Sequence, residues 1–456
     1  MSVTRHASAE AASWVVVVAV AVVVAAVGAQ SAVGGWNDGS RLASVESLVD
    51  RHTWSIDDSF LVRRDAGAPP DQLVAVPVLT LDKLSINGRF YSDKPPLPAL
   101  WMAGAYALWR GAGGAPARLA PQRFCYWMTL VTSGLGYVVA VAAIFGLGGV
   151  IGLALPARLL LTASFAFATL ALPYSRSVNG HMMLLAVAAV LFLYLSRAQR
   201  DRSSSRLTWG AAGALSGLAY TIDLAAGPLL LVCIGIYVAA QGGRGAVVVF
   251  GGAALPWLVT HHAITWAIGN TLLPLNAEAR YVDWPGSPFA GRLTGAWHHD
   301  GVLDAATYAL ALLIGKRGFL LHNPSLLLAL AGLPHLWRQA RRESALLIAG
   351  MSWAAATWLA CALASNNYAG ECASIRWLVP LLAPGYLALA LLLRERRDWL
   401  VYLGVLGIAG MALALPMWWR GPWNGRMVPG FWAVQTATLA ACVIARHRRT
   451  VSSPQR

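Results

Sequence analysis

Long apolar runs alternate with short polar clusters along the whole chain. Ser13 to Val33 is the first run and carries no charge. It reaches the roughly 20 residues that cross a bilayer as a helix. It also exceeds the apolar core of a typical signal peptide, so a retained first span is expected. Arg-rich clusters punctuate the later runs, at Arg158, Arg197 to Arg206, Arg338 to Arg342, Arg394 to Arg397 and Arg446 to Arg449. Positive residues gather on the cytoplasmic side of membrane proteins. Placing these clusters inside puts residues 174–180, 222–223, 270–317 and 366–374, and the segment around Gly421, outside. Parity then decides one segment. Leu97 to Trp109 is apolar but only 13 residues long. If it crossed, every later Arg cluster would face outward. It is expected instead to lie along the outer surface as an interfacial helix, with Trp101, Tyr106 and Trp109 near headgroup level. The pattern predicts an all-α polytopic membrane protein: a bundle of about 12 transmembrane helices with both termini inside. A long first extracytoplasmic loop, about 34–123, carries interfacial helices, and a second large loop covers about 268–317.

Composition agrees with this picture. The chain is 57% hydrophobic and 12% charged, against about 25% charged in an ordinary soluble domain. A net charge of +15 would suggest nucleic acid in a soluble protein. Here the Arg clusters between spans account for it, so membrane lipids are the expected neighbours and nucleic acid is not. Of the five cysteines, four lie in apolar runs and only Cys372 looks loop-exposed. Their spacing implies neither a metal site nor a disulfide framework. Lys and Arg total 35, yet only Lys83, Lys94 and Lys316 are lysines, all in segments expected outside. A compact ammonium differs from a guanidinium fork, so these three are candidates for specific roles.

The first loop is the chemically rich part. It holds nine of the 20 acidic residues: Asp38, Glu46, Asp50, Asp57, Asp58, Asp65, Asp71, Asp82 and Asp93. It opens with Trp36-Asn37-Asp38-Gly39-Ser40-Arg41. From Ser40, the spacing of Leu42, Val45, Leu48 and Val49 predicts a helix, capped by Ser40 or by Asp38. Asn87-Gly88 between β-prone residues predicts a tight hairpin. Asp38 lies where the first span emerges, three residues from Arg41. It reads either as a general base or as a helix cap. Arg41 and Lys94 read either as phosphate ligands or as salt-bridge partners of the loop acids. His181 opens an apolar run, and Asp223 lies between two, where a charge is costly unless it meets a cavity or partner. His261-His262 and His298-His299 lack a partner at metal-ligand spacing, so no metal is expected. No Walker-type phosphate loop occurs, and no cofactor is expected.

Two of these motifs, Asp38-x-Ser-Arg41 and Arg89-Phe-Tyr-Ser-Asp93-Lys94-Pro95-Pro96, resemble the first extracytoplasmic loop of the C-type (GT-C) glycosyltransferases. The relatives in view are the protein O-mannosyltransferase family and the aminoarabinose transferases of lipid A. Further pieces are Pro173-Tyr174-Ser175 with His181, Gly315-Lys316-Arg317-Gly318 with Asn323-Pro324, and Arg376 followed by Pro380. The resemblance implies a GT-C-like bundle, with residues 1–336 as the catalytic membrane module and 337–456 as C-terminal transmembrane helices. It implies inverting transfer of a sugar from a polyprenyl-phosphate donor to a glycan, lipid or protein acceptor outside the cytoplasmic membrane. Asp38 or Asp93 would be the catalytic carboxylate, with Asp57 and Asp82 as rivals. Arg41, Lys94, His181, Asp223, Lys316, Arg317 and Arg376 would bind substrate or phosphate. Relatives often carry a second acid after the first; this chain has Gly39 there. Two other readings compete: a polytopic transporter or lipid flippase, and a non-catalytic scaffold of envelope assembly. Polar residues concentrated in one outer loop favour surface chemistry over paired, broken transport helices.

Overall fold

The structure, a computed structural model, describes residues 2–64, 70–291, 295–339, 344–370, 372–423 and 428–452. Asp65, Arg341 and Arg342 lie outside the described residues. The first long helix is α1 (Ser2–Gly28). After it come α2 (Trp36–Asp50), a hairpin of β1 (Lys83–Ile86) and β2 (Arg89–Ser92), and α3 (Pro96–Gly111). The bundle continues with α4 (Pro121–Ile151), α5 (Leu155–Phe167), α6 (Gly180–Arg200), α7 (Arg206–Ile222) and α8 (Ala226–Gly269). It closes with α9 (Val302–Leu313), α10 (Ser325–Gln339), α11 (Ser344–Leu363), α12 (Leu382–Glu395), α13 (Leu400–Arg420) and α14 (Phe431–Ser452).

Seven helices among the described residues are long and apolar enough to cross a membrane. One of them, α8, is two segments. Gly243 has a φ of 67° inside it, a conformation open to glycine at no steric cost. Trp209 of α7 meets Tyr237 in an edge contact, while Gly213 and Gly217 of α7 let the backbones of Phe250 and Ala254 approach. The same helix thus runs along both halves, and the chain reverses at Gly243. With α5, α7, α10 and α14, twelve helical segments form the bundle, as the apolar pattern predicts. Its centre is α12, which is buried along nearly its whole length. The hydroxyl of Tyr386 there meets Ser164 Oγ at 2.9 Å, which in turn meets Ser325 Oγ at 2.8 Å.

Helix α3 covers the expected surface segment and has two faces. Ala99, Met102 and Ala103 are buried, whereas Trp101 is 54% and Leu108 78% exposed. Tyr106 departs from expectation. It is fully buried rather than at a surface, because its hydroxyl donates to Asp50 (2.6 Å) and accepts from the Ala117 N–H (2.6 Å). Cys372 is likewise buried, 1% exposed, with its thiol against the Ala369 carbonyl. The hairpin forms as read: Asn87 and Gly88 both have positive φ, 51° and 77°, the primed-turn geometry that matches strand twist. Its register sets Lys83 opposite Ser92. Leu84 and Ile86 of β1 pack on Tyr281 and Val282 from the second large loop, and Trp284 Nε1 donates to the Lys83 carbonyl (3.2 Å).

Candidate functional site

Helix α2 begins at Trp36, four residues before the expected start, and the reason is local. Gly35 is the extended N-cap, and Asp38, at the third helical position, reaches back to it. Asp38 Oδ2 accepts the Gly34 N–H (2.7 Å) and Oδ1 accepts the Gly35 N–H (2.8 Å). Asp38 therefore caps α2 from within its first turn, by accepting these two N–H groups, rather than as the N-cap itself. It is 2% exposed. Burial, only partly offset by these backbone N–H groups, raises its carboxyl to about 6. The methylene that a side chain would add at Gly39 meets Thr80 Cβ at 3.2 Å, so the second acid of related loops has little room here.

Arg41 lies one turn along the same face of α2. It is 6% exposed, and its Nε and Nη1 have no hydrogen-bond partner. Burial pulls its pKa below the usual guanidinium range, Asp93 and Asp223 pull it back up, and the nearby charge of Arg376 adds to the strain. A guanidinium stays charged under such pressure, so Arg41 is a buried cation with unused donors.

Lys94 is the opposite case. Its Nζ donates to Asp82 Oδ2 and to Asp93 Oδ2, both at 2.7 Å. Asp93 also accepts from Ser40 Oγ (3.1 Å), which meets Ser92 Oγ at 2.7 Å. Burial raises the Asp93 carboxyl, and Lys94 opposes that rise. The Asp82 partnership is absent from the sequence reading, yet a signal existed. A hairpin turning at Asn87-Gly88 sets Lys83 against Ser92, and so brings Asp82 alongside Asp93 and Lys94. Asp57, the remaining rival base, is engaged by the Phe90 N–H (2.9 Å) and by Ser55 Oγ.

Behind Arg41 stands the first turn of α6. Asn179 caps it through Met182 N–H (3.0 Å), and its own Nδ2 donates to the carbonyls of Tyr174 (2.8 Å) and Ser177 (2.9 Å). The Asn179 N–H donates to Ser133 Oγ (3.1 Å), inside a π-turn of α4; such turns recur at functional sites. The turn presents Gly180, whose missing side chain leaves room for Arg41 Nη2 at 3.3 Å. It then presents His181, whose Nδ1 lies 2.8 Å from Asp223 Oδ2. At that separation the imidazole and the carboxylate are in polar contact, and they form an ion pair when the ring is protonated. Asp223 Oδ1 accepts the N–H groups of Ala225 (2.9 Å) and Ala226 (3.0 Å).

Arg376 lies over the Trp423 ring (4.9 Å), with its Nε unpartnered. Arg317 Nη1 donates to the Gly370 carbonyl (3.4 Å) and Lys316 is exposed. Ser374 Oγ donates to the Arg317 carbonyl (2.9 Å). A cavity of about 20 Å³ opens beside Arg41 and Lys94, lined also by Ser44, Trp54, Tyr91 and, from beyond α8, Leu275. Neither His181 nor Asp223 lines it.

No family model and no curated protein matches the chain. Solved structures do. ArnT from Cupriavidus metallidurans in the apo state aligns with a TM-score of 0.52 at 16% identity, over 94% of this chain and 75% of that one. The same protein bound to undecaprenyl phosphate gives 0.49 at 15% identity, over 94% and 74%. The apo oligosaccharyltransferase of Archaeoglobus fulgidus gives 0.45 at 13%, over 94% and 54%. The first of these likenesses fixes the architecture: this chain is an integral, multi-pass membrane protein with the fold of ArnT.

Proposed function

We propose that the protein is a membrane glycosyltransferase that moves a sugar from a polyprenyl-phosphate donor to an acceptor hydroxyl at the outer face of the cytoplasmic membrane. One observation carries the reading: Arg41, buried beside the cavity with two donor groups unspent. A buried charge costs several kcal/mol unless something pairs it. Retaining one with open donors makes sense where an anion arrives, and a guanidinium fork fits a phosphate. ArnT, a solved protein with this fold, is a lipid A aminoarabinose transferase, which agrees in reaction class.

The chemistry then assigns roles. The acceptor oxygen attacks the anomeric carbon, and the bond from that carbon to the phosphate oxygen breaks with inversion. The phosphate leaves with the electron pair, and Arg41 meets the charge that develops on it. Asp38 takes the hydroxyl proton. Its two backbone bonds use about two of the four lone-pair sites of a carboxylate, and a carboxyl held near 6 is ionised yet still basic at neutral pH. Lys94, held between Asp82 and Asp93, fixes the end of the hairpin. Arg376, from the 337–456 segment, adds positive field behind Arg41. The site and the Arg-rich loop after Arg197 lie at opposite ends of α6, a 21-residue helix about 30 Å long. This supports an outward-facing site. The test is transfer from several polyprenyl-phosphate sugars to a cell-envelope acceptor extract by purified protein. Transfer that Arg41→Met abolishes supports the reading; movement of intact lipid-linked sugar across proteoliposomes without transfer would favour a flippase.

A further inference from the structure

Arg41 keeps its donors open in surroundings that contain two acids able to take them. Asp93 and Asp223 both act on its charge, yet neither pairs with it. Each is already occupied. Asp93 is engaged by Lys94 and Ser40, and Asp223 by His181 and by two backbone N–H groups. The distances make the point sharp. A side chain at Gly180 would stand 3.3 Å from Arg41 Nη2 and 3.2 Å from the Ile222 carbonyl. Gly180, which immediately precedes His181, thus lies against the guanidinium, and the Ile222 carbonyl, just before Asp223, faces the same glycine. We infer that His181 is a positioning residue: it holds the Asp223 carboxylate away from Arg41, so that the guanidinium stays free for the lipid phosphate. In this role His181 and Asp223 act through Arg41 rather than on the substrate. This inference rests on the phosphate role of Arg41 proposed above.

The arrangement has a distinctive consequence. Removing His181 frees Asp223 Oδ2, which then pairs with Arg41 and competes with the phosphate. Removing the Asp223 charge as well abolishes the competitor. Farnesyl phosphate titrated calorimetrically into the full-length, detergent-purified chain reads this directly. His181→Ala is expected to weaken binding about tenfold or more, the scale of one charge-assisted hydrogen bond. His181→Asn, which can still donate to Asp223, should bind within about threefold of the unaltered protein on that scale. Asp223→Asn should bind as tightly or more tightly. The double variant His181→Ala with Asp223→Asn should recover to within about threefold, a non-additivity that a merely structural role would not produce. In turnover, His181→Ala should raise KM with little change in kcat. Failure of the double variant to recover, or loss of binding in Asp223→Asn alone, overturns the inference. If His181→Ala does not fold, Asp223→Asn decides: retained binding supports the positioning role and lost binding defeats it. If the unaltered protein does not bind farnesyl phosphate, the proposed function falls with it; binding with the wrong variant pattern defeats only the positioning role.

Discussion

Two helices are buried almost all round, α2 and α12, and they are built from different material. Along α12 the buried positions are Leu, Ala and Pro, with Tyr386 as the one polar group and its hydroxyl satisfied. Along α2 the buried run from Asp38 to Ser47 includes Asp38, Ser40, Arg41, Ser44, Glu46 and Ser47. Apolar packing of the first kind is what stabilises a bundle core. Burial of the second kind works against stability, because charges leave water and gain only partial compensation. A fold carries such a helix where function requires it, and violations of local rules concentrate at such sites. The contrast therefore predicts opposite consequences for substitution in the two helices.

The largest effect is expected at Arg41. Arg41→Met should lower transfer by about 10²-fold to 10³-fold, the scale of losing one electrostatic contact to developing charge. The same change should leave thermal stability unchanged or raised, since an apolar side chain replaces an unpaired buried cation. Loss of activity together with loss of folding would break the comparison. Asp38→Asn should cost at least about 10²-fold in turnover, the lower end of general-base contributions. The pH profile carries the sign. The base works ionised and its folded-state carboxyl sits at about 6. Activity should hold above that pH and fall as pH drops through it, and the acid limb should vanish in Asp38→Asn. An acid limb left in place by that substitution would move the base to Asp93.

Lys94 sharpens the contrast, because its ammonium is already spent on two carboxylates. Lys94→Ala leaves Asp82 and Asp93 facing each other half-buried without their cation. Melting temperature should fall along with activity, reflecting about 3 kcal/mol for breaking a buried pair. Lost transfer with an unchanged melting temperature would instead make Lys94 a phosphate ligand. The smallest effect is expected in α12. Tyr386→Phe removes one hydrogen bond to Ser164 and should cost about 1 kcal/mol with unaltered turnover.

How much of this was legible in the sequence follows from the range over which each feature is encoded. The twelve-segment bundle, the one-sided helix at α3 and the hairpin at Asn87-Gly88 are local patterns, and each forms where it was read. Helix α2 starts early because Gly35 and Asp38 make the cap between them, which a search for Ser or Asp at the N-cap misses. Trp and Tyr commonly sit at the headgroups, but the partner of Tyr106, Asp50, lies 56 residues away and overrides the tendency. Position on either side of an apolar run marked His181 and Asp223 as unusual. It carries no information that they lie near Arg41, since that depends on the start of α6 meeting the Arg41 side chain from far along the chain.

The most direct measurement of the central claim is calorimetric binding of farnesyl phosphate to the purified chain and to Arg41→Met, each with its melting temperature. Saturable binding by the unaltered chain, weakened about tenfold or more by Arg41→Met without any fall in melting temperature, is the predicted result. Equal affinity in the two proteins, or no binding in either, would contradict it.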